Sequence, residues 1–225
     1  HISIDNHEPV MPTGLRRTFP NLMTGEGMRG QEYNAWSADG GNPVNHTCLL
    51  PFTRGLAGPM DYTPGVFNFT NPVNPGTKVK TTLAHQLALY VVFYSPLQMA
   101  CDLPENYEGK PALKFIENVP VNWDVTRVPE ARIGEYVSIA RKDRHSGDWY
   151  LGCITGEKAR IGLIALDFLE KDAPYQAEIY RDGMDAHWET HPTSIVMETL
   201  NVKGGDSLPV KLVPGGGMAV RFVPE

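Results

Sequence analysis

The segment from His7 to Trp36 limits the fold more than any other part of the sequence, because Gly and Pro recur throughout it. Both residues interrupt helices and strands, and the segment has too many charged side chains to form a core. Its charged residues and histidine are His7, Glu8, Arg16, Arg17, Glu26, Arg29 and Glu32. Binding and catalytic residues gather on loops that a rigid scaffold holds. We interpret the segment as a functional loop; the alternative is a solvated connection with scattered charges.

Short apolar runs lie around this loop and are predicted to be strands. His1–Asn6 alternates apolar and polar residues, as a strand does. Pro20–Met23 is a second short run, and Leu49–Phe52 and Leu56–Met60 form two more pieces broken by Pro and Gly. Asp61 follows the last piece directly. The sequence therefore predicts about three strands, each followed by a loop that contains acidic residues.

Two helices are predicted after these strands. Thr82–Met99 has apolar residues at helical spacing on one face, which indicates an amphipathic helix that Pro96 kinks or ends. Pro111–Val119 is a shorter helix with Pro near its start. Strand, acidic loop and helix in succession are typical of a (β/α)8 barrel, whose active sites lie at the C-terminal ends of the strands. We predict that residues 1–124 are the C-terminal part of such a barrel.

The pattern changes near Trp123 to short runs rich in β-branched and aromatic residues. The predicted strands are Tyr136–Arg141, Trp149–Ile154, Ile161–Phe168, Gln176–Tyr180, Ile195–Leu200, Val210–Val213 and Met218–Val223. Turn sequences such as Asp182-Gly183 separate them, and this even spacing favours an antiparallel β-sandwich. The predicted fold class is thus α/β plus all-β, with the sandwich in residues 125–225.

Composition excludes several classes of partner. The 225 residues are 41% hydrophobic, enough for one or two cores. The net charge of −6 and the lack of a basic run argue against nucleic acid, and no apolar stretch is long enough to span a bilayer. Cys48, Cys101 and Cys153 are far apart without metal-site spacing, so we predict that they are small buried hydrophobic residues.

Three long motifs in this order resemble the C-terminal half of glycoside hydrolase family 97. They read PTGLRRTFPNLMTGEGMRGQEYNAW, LLPFTRGLAGPMDYTPGVF and HQLALYVVFYSPLQMACDLPENY, and the chain is most similar to the inverting, calcium-dependent α-glucosidases of bacterial starch utilisation. The resemblance implies a (β/α)8 barrel followed by a C-terminal antiparallel domain. It also implies an oligosaccharide substrate and a periplasmic or secreted protein.

The resemblance assigns roles to individual residues. Glu32, in RGQE, matches the family's general acid, and Glu8 matches the base of inverting members, whereas members that retain configuration have no carboxylate at that position. Glu8, Glu26 and Glu32 are the implied Ca²⁺ ligands, and His7 is an implied substrate-binding residue. Asp61, at a predicted strand end, is assigned to substrate binding or loop support. A bound cation favours an ionised carboxylate whereas a general acid must be protonated, so the acid role of Glu32 takes precedence over its ligand role.

Two alternatives to the α-glucosidase remain open. The first is an α-galactosidase of the same family, because residues that select the sugar can lie outside this sequence. The second is a non-catalytic carbohydrate-binding or scaffolding fragment, which glycan binding by residues 125–225 alone would indicate. Since the sequence opens on a predicted strand that ends at the predicted active site, we expect an N-terminal portion of the same enzyme to be missing. We expect the isolated polypeptide to have little or no glycosidase activity.

Overall fold

The computed structural model describes residues 2–225, so His1 of the predicted first strand lies outside the described residues. The strands are β1 (Ile4–Asn6), β2 (Leu22–Gly25), β3 (Trp123–Arg132), β4 (Tyr136–Asp143), β5 (Trp149–Thr155), β6 (Arg160–Ala165), β7 (Pro174–Asp182), β8 (Ile195–Lys203), β9 (Ser207–Leu212) and β10 (Gly217–Pro224). The α-helices are α1 (Tyr33–Trp36), α2 (His46–Leu49), α3 (Leu83–Val92), α4 (Pro104–Tyr107) and α5 (Leu113–Asn118). Three 3₁₀ turns cover Leu15–Arg17, Leu50–Phe52 and Arg54–Ala57. None of these helices is long and apolar enough to cross a membrane.

The second half of the chain is an antiparallel two-layer β structure, which confirms the predicted sandwich. Six strands pair in the order β3-β4-β5-β10-β7-β8, and β6 pairs with β9 in a second layer. Side chains from both layers form one core, which includes Trp149, Leu151, Ile164, Val210 and Val220. The predicted strands all lie within or overlap β4 to β10. The prediction does not include β3. Register shifts interrupt its pairing with β4, and most of its side chains are exposed, so buried and exposed residues do not alternate along it.

The helix α3 is buried on all sides, whereas the sequence predicts an amphipathic helix with one apolar stripe. Its ten residues lie between the six-stranded sheet and the segment around Tyr62, which belong to the same apolar cluster. A helix covered on both sides has no need of a polar face. Because α3 has this second contact surface, a prediction from one apolar stripe underestimates how many of its side chains are buried.

α3 also ends at Val92, well before the predicted end at Met99. The last carbonyl groups of a helix have no partner within it, and here a neighbouring strand supplies one. Arg141 of β4 donates from Nε to the carbonyl oxygen of Val91 (2.6 Å) and from Nη2 to that of Val92 (3.3 Å). Phe93 is extended, and Pro96 disfavours helical geometry in the residue before it.

The other end of α3 is fixed to the sheet by a buried carboxylate. Thr82 caps the helix by accepting the N–H of His85 (3.2 Å) and donates its hydroxyl to Oδ1 of Asp182 (2.7 Å). Oδ2 of Asp182 accepts the backbone N–H groups of Val213 and Gly217, each at 3.1 Å. Burial raises the pKa of Asp182 to about 6 despite these donors. The carboxylate therefore joins the helix start to the beginning of β10.

The first half of the chain contains fewer strands than predicted. Within residues 2–225 it has only β1 and β2, which are parallel, and no closed barrel forms. The predicted strand piece Leu49–Phe52 is helical instead, and the piece Leu56–Met60 consists of the end of a 3₁₀ turn followed by irregular chain. Pro51 has no N–H for a strand ladder, and Gly58, with φ +123°, turns the chain in a way that other residues rarely adopt.

The two halves share a hydrophobic core. α3 precedes the predicted domain boundary between residues 124 and 125, yet it packs against β5 and β10. Two glycines allow this close approach. A Cβ on Gly152 would lie 2.5 Å from the carbonyl oxygen of Ala88, and one on Gly217 would lie 2.4 Å from Cα of His85. The boundary itself stays a prediction.

We predict that Gly152→Ala lowers stability by about 1–3 kcal/mol, because the new methyl group would overpack the contact between β5 and α3. Thermal and urea unfolding of the protein that carries the substitution measure the change. Gly76→Ala is the matched control, since a Cβ there meets no heavy atom within 4 Å and its φ is not in the left-handed region. Equal stability of the Gly152 variant and the control would contradict the close-packing interpretation.

Candidate functional site

A cavity of about 450 Å³ opens beside the C-terminal end of the parallel strand pair. β1 ends at Asn6 and β2 at Gly25, so the residues that follow them, His7 and Glu26, emerge at the same edge. Both line the cavity together with Glu32. The far wall comes from residues 63–79 and from Cys101 and Asp102. Three of the predicted site residues therefore face one cavity, although they are separated in the sequence.

His7 is held by a buried carboxylate behind it. Its Nε2 lies 2.7 Å from Oδ2 of Asp61, whose side chain is fully buried. Oδ1 of Asp61 accepts the backbone N–H of Thr63 at 3.1 Å. The Asp61 side chain therefore holds His7 through this contact. Asp61 itself is not among the residues that line the cavity. Its predicted contact with substrate stays a prediction.

Asp5 belongs to the same group, with Oδ2 at 3.8 Å from Nε2 of His7. Ligand atoms of Asp5, His7 and Asp61 all lie within 4.8 Å of one another. The hydrogen bond to Asp61 raises the pKa of His7. Burial, and then the nearby Asp61, raise the pKa of Asp5 to about 7. Both shifts favour the protonated side chain, which reduces the negative charge that the acidic side chains would otherwise concentrate here.

Glu8 and Glu26 are joined directly. The backbone N–H of Glu8 donates to Oε2 of Glu26 at 3.1 Å, and the Glu26 side chain is almost fully buried. Oε1 of Glu26 is also buried and has no hydrogen-bond partner within the described part of the chain. The Glu8 residue is exposed and its backbone is left-handed, with φ 52°. Such backbones are uncommon outside glycine and collect at functional sites.

Glu32 follows Glu26 in the same loop and lies at the residue before α1. It is exposed, and no side-chain hydrogen bond caps the helix there. The backbone N–H of Gln31 donates to the carbonyl oxygen of Tyr62 at 2.9 Å, which fixes this loop against the segment that contains Asp61. An exposed carboxyl group on a fixed loop beside a cavity is available to a substrate, as a general acid must be.

The arginines of the first loop do not contact these carboxylates. Arg29 forms a bidentate pair with Asp39, at 2.7 and 2.9 Å, and Arg16 donates to the carbonyl oxygen of Ala57 at 3.0 Å. Cys101, predicted to be buried, is exposed at the cavity, whereas Cys48 and Cys153 are buried as predicted.

The sequence analysis missed two residues of the site. Asp5 precedes His7 by two positions on a predicted strand, and side chains at i and i+2 lie on the same face, so this signal was available. Arg54 is buried beneath the site and bonds only to backbone carbonyl groups among the residues that the structure describes. Its partners Gly25 and Glu26 are distant in sequence, and no local pattern indicates them.

A cavity with several carboxylates, at the C-terminal edge of parallel strands and beside an antiparallel sandwich, is typical of carbohydrate-active enzymes. The sequence profile described as "Glycosyl-hydrolase 97 C-terminal, oligomerisation" matches residues 122–223. The chain belongs to glycoside hydrolase family 97, as its motifs indicate.

Relatives in this family align with nearly the whole chain. It is 37% identical to a protein named retaining alpha-galactosidase from Bacteroides thetaiotaomicron, with 97% of this chain and 33% of that protein aligned. It is 32% identical to a probable retaining alpha-galactosidase from Streptomyces bingchenggensis, with 97% and 31% aligned. A family 97 enzyme from Pseudoalteromonas sp. strain K8, solved with acarbose, is 48% identical with a TM-score of 0.94 over 100% of this chain and 35% of that one. The chain thus spans about a third of the length of these relatives.

We predict that Asp61→Asn lowers the pKa of both His7 and Asp5. The change removes the negative charge that stabilises the protonated imidazole, and it also removes the charge that opposes ionisation of Asp5. An NMR pH titration of the His7 ring and of the Asp5 carboxyl carbon measures both values. Asp39→Asn, at an exposed ion pair away from the cluster, is the control. An unchanged pKa for His7 in the Asp61 variant would mean that Asp61 does not support its charge.

Proposed function

We propose that this chain is part of an inverting, exo-acting α-glucosidase that hydrolyses terminal α-glucosidic bonds of starch-type oligosaccharides. The observation that carries the proposal is the cavity that His7, Glu26 and Glu32 line, with Glu8 bound through its backbone N–H to the Glu26 carboxylate. The similar Pseudoalteromonas enzyme has also been solved in complex with panose, a trisaccharide of α-linked glucose.

The chemistry assigns a separate task to each carboxyl group. Inverting hydrolysis needs one acid that protonates the leaving oxygen and one base that activates water on the opposite face of the sugar. Glu32 is the acid and Glu8 is the base in this proposal. His7, whose pKa is raised by Asp61, donates a charge-assisted hydrogen bond to a sugar hydroxyl group. Asp61 keeps the imidazole in the orientation that this contact requires.

The proposal requires the remaining strands of a (β/α)8 barrel, because residues 2–225 do not form a closed barrel by themselves. The free edges of β1 and β2 would pair with strands from an N-terminal portion of the same enzyme, because a barrel closes only when all its strands pair. Residues 1–124 would then be the C-terminal part of that barrel. The apolar side chains of Val10, Met11 and Leu15, which are exposed here, would be covered by the missing portion.

Glu8, Glu26 and Glu32 are the residues that would hold calcium. Calcium prefers hard oxygen ligands, and the buried, unpartnered Oε1 of Glu26 is an oxygen that lacks a hydrogen-bond donor. Within residues 2–225, the three side chains whose ligand atoms lie within 4.8 Å of one another are instead Asp5, His7 and Asp61, where the short contact between His7 and Asp61 is a hydrogen bond. A bound divalent cation would supply charge to orient water and sugar hydroxyl groups.

A retaining α-galactosidase is the second candidate. The observation in its favour is the name of the Bacteroides relative, which is 37% identical over 97% of this chain. Against it stands Glu8, a carboxylate where the resemblance expects none in retaining members. The two candidates differ in both the sugar and the stereochemistry of the product, so one experiment separates them.

We expect the longer enzyme that contains this chain to hydrolyse maltose in preference to melibiose and to release β-glucose first. Inversion at an α-linked substrate gives the β anomer directly, because water attacks from the opposite face. NMR of the anomeric protons in the first minutes of the reaction measures the product before mutarotation. Release of α-galactose from melibiose, with maltose left intact, would instead identify the second candidate.

We expect Glu32→Gln in the same enzyme to slow hydrolysis of maltose by roughly 10²- to 10⁴-fold. A substrate whose leaving group needs no protonation, such as a 2,4-dinitrophenyl glucoside, should lose much less. Glu117→Gln, at an exposed position of α5, is the control. Equal losses on both substrates would remove Glu32 from the role of general acid.

We expect Glu26→Gln to raise the calcium concentration that stabilises the enzyme. The amide replaces an anionic oxygen ligand with a neutral group, which weakens binding of a hard cation. Melting temperatures across a calcium titration measure this effect without any activity assay, and magnesium serves as the comparison cation. If calcium does not change the melting temperature of the wild-type enzyme, calcium has no place in the proposal.

A further inference from the structure

Arg54 is a buried cation that the proposed mechanism does not use. It lies in the 3₁₀ turn Arg54–Ala57 and is 2% exposed. Within residues 2–225 its guanidinium group has no carboxylate partner and donates only to backbone carbonyl oxygens. Burial, and then the nearby charge of Arg16, lower its pKa. A buried charge without a counterion is costly, and the carbonyl groups that Arg54 binds are its only compensation within the described residues.

The partners of Arg54 come from two segments that are far apart in sequence. Its Nε donates to the backbone carbonyl oxygen of Glu26 (2.9 Å), and its Nη2 donates to that of Gly25 (2.8 Å), at the C-terminal end of β2. Nη2 also donates to the carbonyl oxygen of Pro59 (3.0 Å), and Nη1 donates to that of Gly58 (3.2 Å). Both residues lie just before Asp61. One planar group thus binds the backbone of Glu26 itself and the backbone of Pro59, two residues before Asp61.

The two segments also bond to each other at the same place. The backbone N–H of Asp61 donates to the carbonyl oxygen of Gly25 at 3.0 Å, which also accepts from Arg54. Gly27 lies against the guanidinium group, with the position of a Cβ only 3.0 Å from Nε and φ at +64°. The chain therefore turns tightly around Arg54 immediately after Glu26.

We propose that Arg54 is a positioning residue that fixes the backbone of Glu26 relative to that of Asp61. Through Glu26 it sets the position of Glu8, whose N–H binds the Glu26 carboxylate, and through Asp61 it sets the position of His7. The consequence for catalysis rests on the proposed function, whereas the structural coupling does not. Arg54 touches none of the reacting groups and acts only through these residues.

The planar fork of arginine explains why this residue type is needed. Its five N–H groups lie in one plane and reach four carbonyl oxygens at once. Lysine keeps the charge but has three donors on a flexible stem, so Arg54→Lys retains part of the coupling. Methionine keeps most of the volume and removes every donor. The expected order of coupling is arginine, then lysine, then methionine.

The test combines hydrogen exchange and kinetics on the full-length protein that carries this chain. In Arg54→Met we expect the amide groups of Glu26 and Asp61 to exchange at least about tenfold faster, because Arg54 no longer holds the carbonyl group of Gly25, which accepts the Asp61 amide, or the carbonyl group of Glu26 itself. Amides of β5 should keep their wild-type rates. The kcat should fall by about 10- to 100-fold, as for other residues that position a ligand or catalytic group, with KM changed much less. Arg54→Lys should be intermediate in both measurements.

Arg16→Met is the matched control, because Arg16 donates to the carbonyl oxygen of Ala57 in the same loop but not to that of Gly25 or Glu26. The proposal is overturned if the Arg54 variants exchange faster equally in β5, or if local exchange rises while kcat is unchanged. It is also overturned if exchange at Glu26 and Asp61 does not change. If Arg54→Met does not fold, Arg54→Lys provides the same comparison. A wild-type enzyme without glycosidase activity would refute the proposed function, and local exchange would still decide whether Arg54 couples the two segments.

Discussion

The contact between α3 and the six-stranded sheet is the interaction on which the rest of the structure depends. The helix approaches the sheet closely because Gly152 and Gly217 have no side chains there. Its opposite side packs against the segment that carries Tyr62, next to Asp61. The backbone N–H of Met60 also binds the carbonyl oxygen of Tyr94 at 2.9 Å, just beyond the helix. The sandwich therefore supports the carboxylate site through one buried helix.

Much of the fold could be predicted from sequence where the signal is local. Short runs of β-branched residues between glycine turns predict β4 to β10, since strand formation there agrees with both pattern and packing. Two features could not be predicted in this way. The full burial of α3 depends on contacts from both halves of the chain, and its end at Val92 depends on Arg141, a residue about fifty positions away. Long-range partners leave no periodic signal in the helix itself.

The site residues also divide into those that a local sequence signal predicts and those that depend on long-range partners. The residues at the ends of β1 and β2, His7 and Glu26, could be predicted from strand boundaries and motifs. The roles of Asp61 and Arg54 could not, because each depends on a hydrogen bond to a residue at least 28 positions away, His7 for Asp61 and Glu26 for Arg54. Asp61 was placed at a strand end, whereas it lies in an irregular segment whose position depends on Gly25. Which oxygen receives a donor is a property of the folded chain.

The strand order β3-β4-β5-β10-β7-β8 has a consequence for how the protein is made. β10 is synthesised after the other nine strands, yet it occupies a central position in the sheet. Until it leaves the ribosome, β5 and β7 have no common neighbour and α3 has only part of its packing surface. Hairpins such as β4–β5 can form early from local contacts. The sheet, and with it the support for the site, can be completed only when the last strand inserts.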